Sequence, residues 1–318
     1  MPIPPVALII FNRPLETGRV FAAIRQARPS RLLVIADGPR HDGERELCDS
    51  ARAVIDTVDW PCVVEKNYAD VNMGCRERII SGINWVFEQT ERAIILEDDC
   101  LPHPTFFPFC AELLEKYKDD ERVMTITGLC LFQKKIGSSI QESYFPTLLP
   151  QTTGWATWRR AWKLYDPDMQ AWPALRDARA LAPTFHHPAG YERFERVWDD
   201  YYYQRPGVKD SWDGQWAFAC VRQGAVCLTP TVNLISNIGF NARGTHSHEA
   251  TDQSDMPLYP MQFPLIHPAE LVINREVDAL FYRYSLGIDR KWRYRVVRPL
   301  KTYFPGIYRA LKKLVSKT

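Results

Sequence analysis

Short apolar runs alternate with longer amphipathic stretches through the first 127 residues, and that alternation restricts the possible fold more than any other feature of the chain. Val6–Phe11, Arg31–Ala36, Cys62–Glu65, Ala93–Leu96 and Val123–Thr127 are brief and mostly built from Val, Ile, Leu and Ala, the composition of strands covered on both faces. Between them lie Leu15–Arg28, Glu44–Val58, Arg76–Gln89 and Phe106–Lys118. In Arg76–Gln89 the residues Ile79, Ile80, Ile83, Val86 and Phe87 share one helical face, and in Phe106–Lys118 the stripe is Phe106, Phe109, Cys110, Leu113, Leu114 and Tyr117. Strand and helix in alternation call for right-handed crossovers. The expected fold is therefore α/β, with a mostly parallel central sheet and helices on both faces. A chain of 318 residues with 46% hydrophobic content has material for one large core or two small ones.

The fourth apolar run ends in Glu97-Asp98-Asp99. Three like charges at the edge of a core repel one another, and a hard divalent cation relieves the conflict. Ligands of open α/β sheets bind at the carboxyl ends of the strands, where these acids fall. A metal-assisted site for a phosphate-bearing substrate is expected there, with an exposed acidic turn as the alternative. Neither GxxxxGK[ST] nor GxGxxG follows the first strand, which removes support for a P-loop or dinucleotide fold. The eight cysteines form no CxxC pair and several sit in apolar segments, so they read as reduced, small hydrophobic residues rather than a zinc site.

Beyond Gly128 the pattern loosens. Trp155, Trp158, Trp162, Trp172, Trp198, Tyr201, Tyr202, Tyr203, Trp212 and Trp216 crowd residues 151–216. They suit either core packing or a pocket that stacks on sugar faces. Val221–Asn233 reads as a hairpin, and the prolines at 257, 260, 264 and 268 mark an extended strap over 251–268. Residues 290–318 hold ten Lys or Arg and no acid, so a net charge of +2 leaves −8 on the first 289 residues. In this tail Ile307, Tyr308, Leu311, Leu314 and Val315 form an apolar stripe opposite Arg309, Lys312 and Lys313, a basic amphipathic helix suited to an anionic membrane surface or to packing on its own domain. No apolar run approaches the roughly 20 residues of a membrane span, and no leader pattern is visible. The expected location is cytoplasmic, peripheral on the inner face of the plasma membrane.

Several short elements follow one another in a distinctive order. Asn12-Arg13 closes the first strand and Asp37 the second; a helix opening in Arg76 and Arg78 precedes the acidic strand. Glu97-Asp98-Asp99 is followed by Leu101-Pro102-His103-Pro104-Thr105-Phe106-Phe107, then by Trp212-Asp213 and Gly244-Thr245-His246. Over residues 5–250 this order resembles the nucleotide-diphosphate-sugar transferases of the GT-A fold. The likeness is closest to family 2 type enzymes, to N-acetylglucosaminyltransferase I and to bacterial proteins once labelled hemolysin-like.

The resemblance implies a GT-A domain over 1–250, with a nucleotide-sugar half (1–128) and an acceptor half (129–250), then a Pro-rich strap and helix (251–289) and the basic tail (290–318). It implies that Asp99 ligates Mn²⁺ or Mg²⁺, while Glu97 and Asp98 meet ribose or metal-bound water. Asp37 would accept a hydrogen bond from a uracil N3–H, or else hold an Asx turn before Gly38-Pro39. Arg13 and Arg76 would meet the base edge or the diphosphate. Asp213 would be the catalytic base or a helix cap, with Asp210 in reserve because Gly214 stands where the family carries a second acid. His246 would be a second metal or phosphate ligand, with Arg243 as a further cation and His248 beside them. The implied activity is metal-dependent, inverting hexosyl or N-acetylhexosaminyl transfer from a UDP-sugar to a bacterial surface glycan or lipid-linked acceptor, with no nucleic-acid partner. A sugar nucleotidyltransferase is the enzymatic rival, though the Gly-rich loop it expects after the first strand is missing. A carbohydrate-binding protein without catalysis is the other.

Overall fold

The computed structural model describes residues 1–136, 140–205, 210–239 and 255–285. Strand and helix alternate through the first half, except that β5 follows β4 directly: β1 (Val6–Ile10), α1 (Pro14–Ala27), β2 (Arg31–Ala36), α2 (Arg45–Ile55), β3 (Val63–Tyr68), α3 (Cys75–Gln89), β4 (Arg92–Glu97), β5 (Cys100–Pro102) and α4 (Phe106–Lys116). The local signals are plain. Pro14 opens α1, where its missing N–H costs nothing, and Arg28 ends the helix in the left-handed region with φ 52°. The second half contributes β6 (Val123–Thr127), the turn α5 (Gln133–Ile136), β7 (Tyr144–Thr147), β8 (Trp155–Trp158), the turn α6 (Arg159–Trp162), α7 (Trp172–Asp177), α8 (Pro188–Tyr202), α9 (Asp213–Arg222), β9 (Val226–Pro230), β10 (Ile235–Asn237) and α10 (Arg275–Leu280).

Eight strands form one sheet in the order β3-β2-β1-β4-β8-β6-β9-β7. Only β8 and β7 run against the other strands, so the sheet is mostly parallel, as the alternation requires. The period-two alternation of side chains divides the core. Val6, Leu8 and Ile10 face α1, α2 and α4, with Phe21, Ile24, Phe106 and Phe109 among their neighbours. Ala7 and Ile9 face the opposite layer, made by α3, α6 and α9 with Ile79, Ile83, Val86 and Trp216. Both faces are thus covered. A third apolar cluster, around Trp172, Trp198 and Phe218, lies between α7, α8 and α9.

Two sequence expectations change. Val221–Asn233 is not a hairpin: α9 runs on through Arg222, and β9 is a single strand paired with β6 on one side and β7 on the other. The dense aromatics do not form a sugar pocket at the strand ends. Trp155, Trp158, Trp162, Trp172, Trp198, Trp212 and Trp216 are all buried, and Trp155 stacks on Trp212 with centroids 5.5 Å apart. Burial accounts for these seven rings without a ligand, whereas Tyr201 and Tyr202 are half-buried and Tyr203 is exposed. The basic tail and the loop bearing Arg243, His246 and His248 lie outside the described residues. Among the described residues no helix is long and apolar enough to cross a membrane, and all eight cysteines are free thiols.

Candidate active site

The register of three parallel strands brings the predicted residues to one edge. Ile10 of β1 pairs with Ala36 of β2, and Ile9 pairs with Glu97 of β4. The chain leaving each strand therefore emerges at a common level, with Arg13 after β1, Asp37 after β2 and Asp98-Asp99 after β4. These residues border a cleft of about 500 Å³, together with Phe11, Arg40, Asn72, Gly74, Cys75, Arg78, Glu97, Thr153, Asp210, Asn237 and Gly239. That position is the usual ligand site of an open α/β sheet.

Glu97 is the last residue of β4, and Asp98 and Asp99 form the turn into β5. Asp98 Oδ2 accepts the N–H of Phe11 at 3.1 Å. Arg13 Nη1 lies 2.7 Å from Asp99 Oδ2 and 3.4 Å from Asp98 Oδ1. Burial disfavours the charge of Arg13, but Asp98 and Asp99 outweigh it and hold the guanidinium above its ordinary pKa. Burial, followed by mutual repulsion with Asp99, raises Glu97 and Asp98 well above the carboxylate range. Three carboxyl groups at the β4 edge thus crowd one guanidinium, and burial favours the protonated form of Glu97 and Asp98. β5 pairs with β10 in antiparallel fashion, Cys100 opposite Asn237, and the Ile238 N–H donates to the Asp99 carbonyl at 2.8 Å.

Asp37 is buried at the end of β2. Its Oδ1 accepts the N–H groups of Gly38 and Met73, each at 2.9 Å, and its Oδ2 accepts Asn72 Nδ2 at 2.9 Å. The carboxylate thus holds the loop after β3 across the strand ends and makes no Asx turn, since Pro39 has no N–H to donate; burial still raises its pKa. Gly38 makes this close approach possible: a Cβ there would stand 2.4 Å from the Val71 carbonyl carbon. Arg52 of α2 ties the same corner by donating to the carbonyls of Asp37 and Ala69.

The two arginines that open α3 separate, and the expected donor contact, Arg76, is not the one at the cleft. Arg78 is buried in the cleft wall and donates to the Ala36 carbonyl and to Asn67, while burial lowers its pKa. Arg76 is not among the residues bordering the cleft; it reaches the Pro167 carbonyl at 2.9 Å and pairs with Glu77. The two candidate bases separate as well. Asp210 borders the cleft and, among the described residues, has no hydrogen bond or ion pair. Asp213 is the first residue of α9, where its Oδ1 accepts from the Ser211 hydroxyl and from the Gly214 N–H. Both stand close enough to Cys75 to help burial push that thiol up to about 12.

Sequence reasoning missed Arg40, Asn72, Thr153, Asn237 and Gly239. Arg40 had a signal: it is four residues before Glu44, the spacing of a helical ion pair, and the two do pair. Glu44, buried, also accepts from Asn12 Nδ2 at 3.0 Å, and Arg40 lies over the Phe11 ring with its guanidinium carbon 5.3 Å from the centroid. Asn72 and Asn237 are isolated loop or strand-end residues that only the tertiary fold brings near the acids.

Among the described residues no three His, Cys, Asp or Glu side chains converge to hold a metal ion unaided. The donor chemistry nevertheless suits a hard cation, because the edge gathers three carboxyl groups whose ionised form a cation would favour. Mg²⁺ or Mn²⁺ commonly takes one or two protein carboxylates and completes its shell with water and substrate phosphate. Asp99, with Glu97 or Asp98 behind it, fits that partial set.

No family model and no curated protein matches the chain. Among solved structures, UDP-glucose pyrophosphorylase complexed with UDP-glucose is 9% identical, with a TM-score of 0.32, and the match covers 71% of this chain and 89% of that one. Mouse xyloside xylosyltransferase 1, in its apo form, is 12% identical with a TM-score of 0.31, covering 69% of this chain and 82% of its own. Overlap this low assigns neither fold nor activity to this chain.

Proposed function

We propose that this protein is a metal-dependent glycosyltransferase that takes a UDP-sugar as donor. One observation carries the reading: β1, β2 and β4 deliver Arg13, Asp37 and Glu97-Asp98-Asp99 to the same cleft in register. The cleft is large enough for much of a nucleotide, and its walls combine guanidinium groups for a diphosphate with carboxylates for a cation.

The chain's own residues divide the work. Arg13 and Arg40 are the cations at the mouth of β1 and beyond β2, placed for phosphate oxygens. Asp37 retains acceptor capacity beside the loop that it organises, and this suits a ring N–H of the base. Asp99 holds the cation, which when bound supplies positive charge against the developing charge of a departing diphosphate. Asp210 is the better-placed base, because it faces the cleft without a resident donor and can accept the proton of an acceptor hydroxyl. Asp213, committed to Ser211 and the start of α9, orients that corner. A surface glycan or lipid-linked sugar is the proposed acceptor, and inversion at the transferred carbon follows from a single base acting opposite the leaving group.

Titration of UDP with and without Mn²⁺ tests the reading. Metal-dependent binding that Asp99→Ala abolishes is the expected outcome. Binding of sugar or nucleotide that ignores both the metal and Asp99 would show a carbohydrate- or nucleotide-binding protein instead.

A further inference from the structure

We infer that Arg13 is the resident counter-ion of the acid edge and couples cation binding to diphosphate binding. A divalent cation and Arg13 compete for Asp99, and a diphosphate relieves the competition by offering the guanidinium a new anionic partner. The inference rests on the metal and diphosphate reading above.

Three observations support it. The contact between Arg13 Nη1 and Asp99 Oδ2 is 2.7 Å, and the side chains of Arg13, Asp98 and Asp99 are only 10%, 10% and 17% exposed. The pair also has no slack on its outer side. A Cβ at Gly239 would stand 2.3 Å from Asp99 Oδ2 and 2.9 Å from Arg13 Nη1. Finally, the backbone of Arg13 is fixed, because its carbonyl accepts both the N–H and the hydroxyl of Thr17 at 2.9 and 2.7 Å. Adjustment therefore falls to the Arg13 side chain, which already borders the cleft.

The energetic consequence follows from charge. A cation that reaches Asp99 alone must break a largely buried ion pair and leave a buried guanidinium short of one carboxylate. Two cations on one carboxylate also repel. A diphosphate changes the balance, since its oxygens match the guanidinium fork as well as a carboxylate does. Arg13 then exchanges one anion for another, and Asp99 is released to act as a ligand. Each ligand must raise the affinity of the other by the same factor.

Loss of the free Mn²⁺ resonance in electron paramagnetic spectra reads the coupling without requiring turnover. In the wild-type protein UDP is expected to tighten Mn²⁺ binding at least tenfold, within the roughly 5–150-fold range of such couplings. In Arg13→Gln, Mn²⁺ alone is expected to bind about tenfold more tightly than in wild type, and the gain from UDP to shrink correspondingly. Wild-type affinity for Mn²⁺ alone, or an undiminished gain from UDP, overturns the inference. Should that variant fail to fold, Arg13→Lys replaces the fork by a single point charge; the gain is then expected to fall to less than half, and a wild-type gain overturns the inference. Absence of Mn²⁺ uptake by the wild type, with or without UDP, removes the metal reading and this inference together. Uptake that is indifferent to Arg13 removes this inference alone.

Discussion

Asp210 and Asp213 are three positions apart and meet different environments. Asp210 borders the cleft, whereas Asp213 spends its Oδ1 on the Ser211 hydroxyl and the Gly214 N–H. Asp210→Asn is therefore expected to lower kcat by about 10²–10⁴-fold while leaving UDP affinity near wild type, as removal of a general base does. Asp213→Asn is expected to cost about tenfold or less, since an amide oxygen can still accept from Ser211. Donor turnover and UDP titration on both variants separate the assignments, and a reversed order would return the role to Asp213. At this scale the sequence was most legible where chemistry follows a strand end. Glu97-Asp98-Asp99, Arg13 and Asp37 could be named because polar groups directly after buried strands have few places to go. The resemblance points to Arg76 as the donor contact, yet Arg78 borders the cleft, since two residues along a helix turn a side chain through about 200° and only packing decides which one faces inward.

The loop from Ala69 to Gly74 shows how elements shape the site. Asp37 accepts from Met73 and Asn72, and Gly38 lets the Val71 backbone pass directly over the end of β2. Gly38→Ala is expected to lower stability by about 1–3 kcal/mol, the usual cost of forcing a methyl group into a packed contact. It is also expected to weaken UDP binding, because the loop and the Asp37 carboxylate move together. Urea unfolding and UDP titration check the two effects, and wild-type values in both would refute the close-packing account. Most elements of the first half were legible because buried runs and amphipathic helices alternate; the half-exposed β3 runs on to Tyr68, past the expected Glu65, and the three-residue β5 gave no local signal. In the second half, β7 and β8 are four residues each and belong to a sheet whose neighbouring strands are far away in the chain. Nothing local fixes such pairing. The tryptophans were ambiguous for a related reason: a Trp beside polar residues is equally compatible with a core and with a sugar site, and burial places all seven in the core.

Across the whole molecule, one buried carboxylate ties α10 to the chain leaving β7. Asp278 of α10 accepts the Leu148 N–H at 3.4 Å through Oδ1, while Oδ2 is buried without a partner among the described residues. Burial raises its pKa to about 7, with the Leu148 N–H acting in the opposite direction. The folded protein therefore holds this proton more firmly than the unfolded chain does. As pH rises above the ordinary aspartate value, the unfolded chain ionises first, and stability falls until the folded group also titrates near 7. Asp278→Asn is expected to remove that slope and stabilise the protein at pH 8 by at most about 4 kcal/mol, with almost no effect at pH 4. Urea unfolding at the two pH values decides it; an equal effect at both would show that another group carries the dependence.

Gly239 has a consequence for how this sequence can diverge. It follows β10, which is paired to β5, and β5 begins directly after Asp99. Any side chain at 239 would occupy the space of the Asp99 carboxylate and the Arg13 guanidinium. Relief by sliding β10 would uncouple it from β5 and move the turn that carries Asp99. In a saturation library selected for function, position 239 should thus accept glycine alone, although no reacting group belongs to it. Position 224, where a glycine has φ 61° but no atom within 4 Å of its would-be Cβ, should accept asparagine as well.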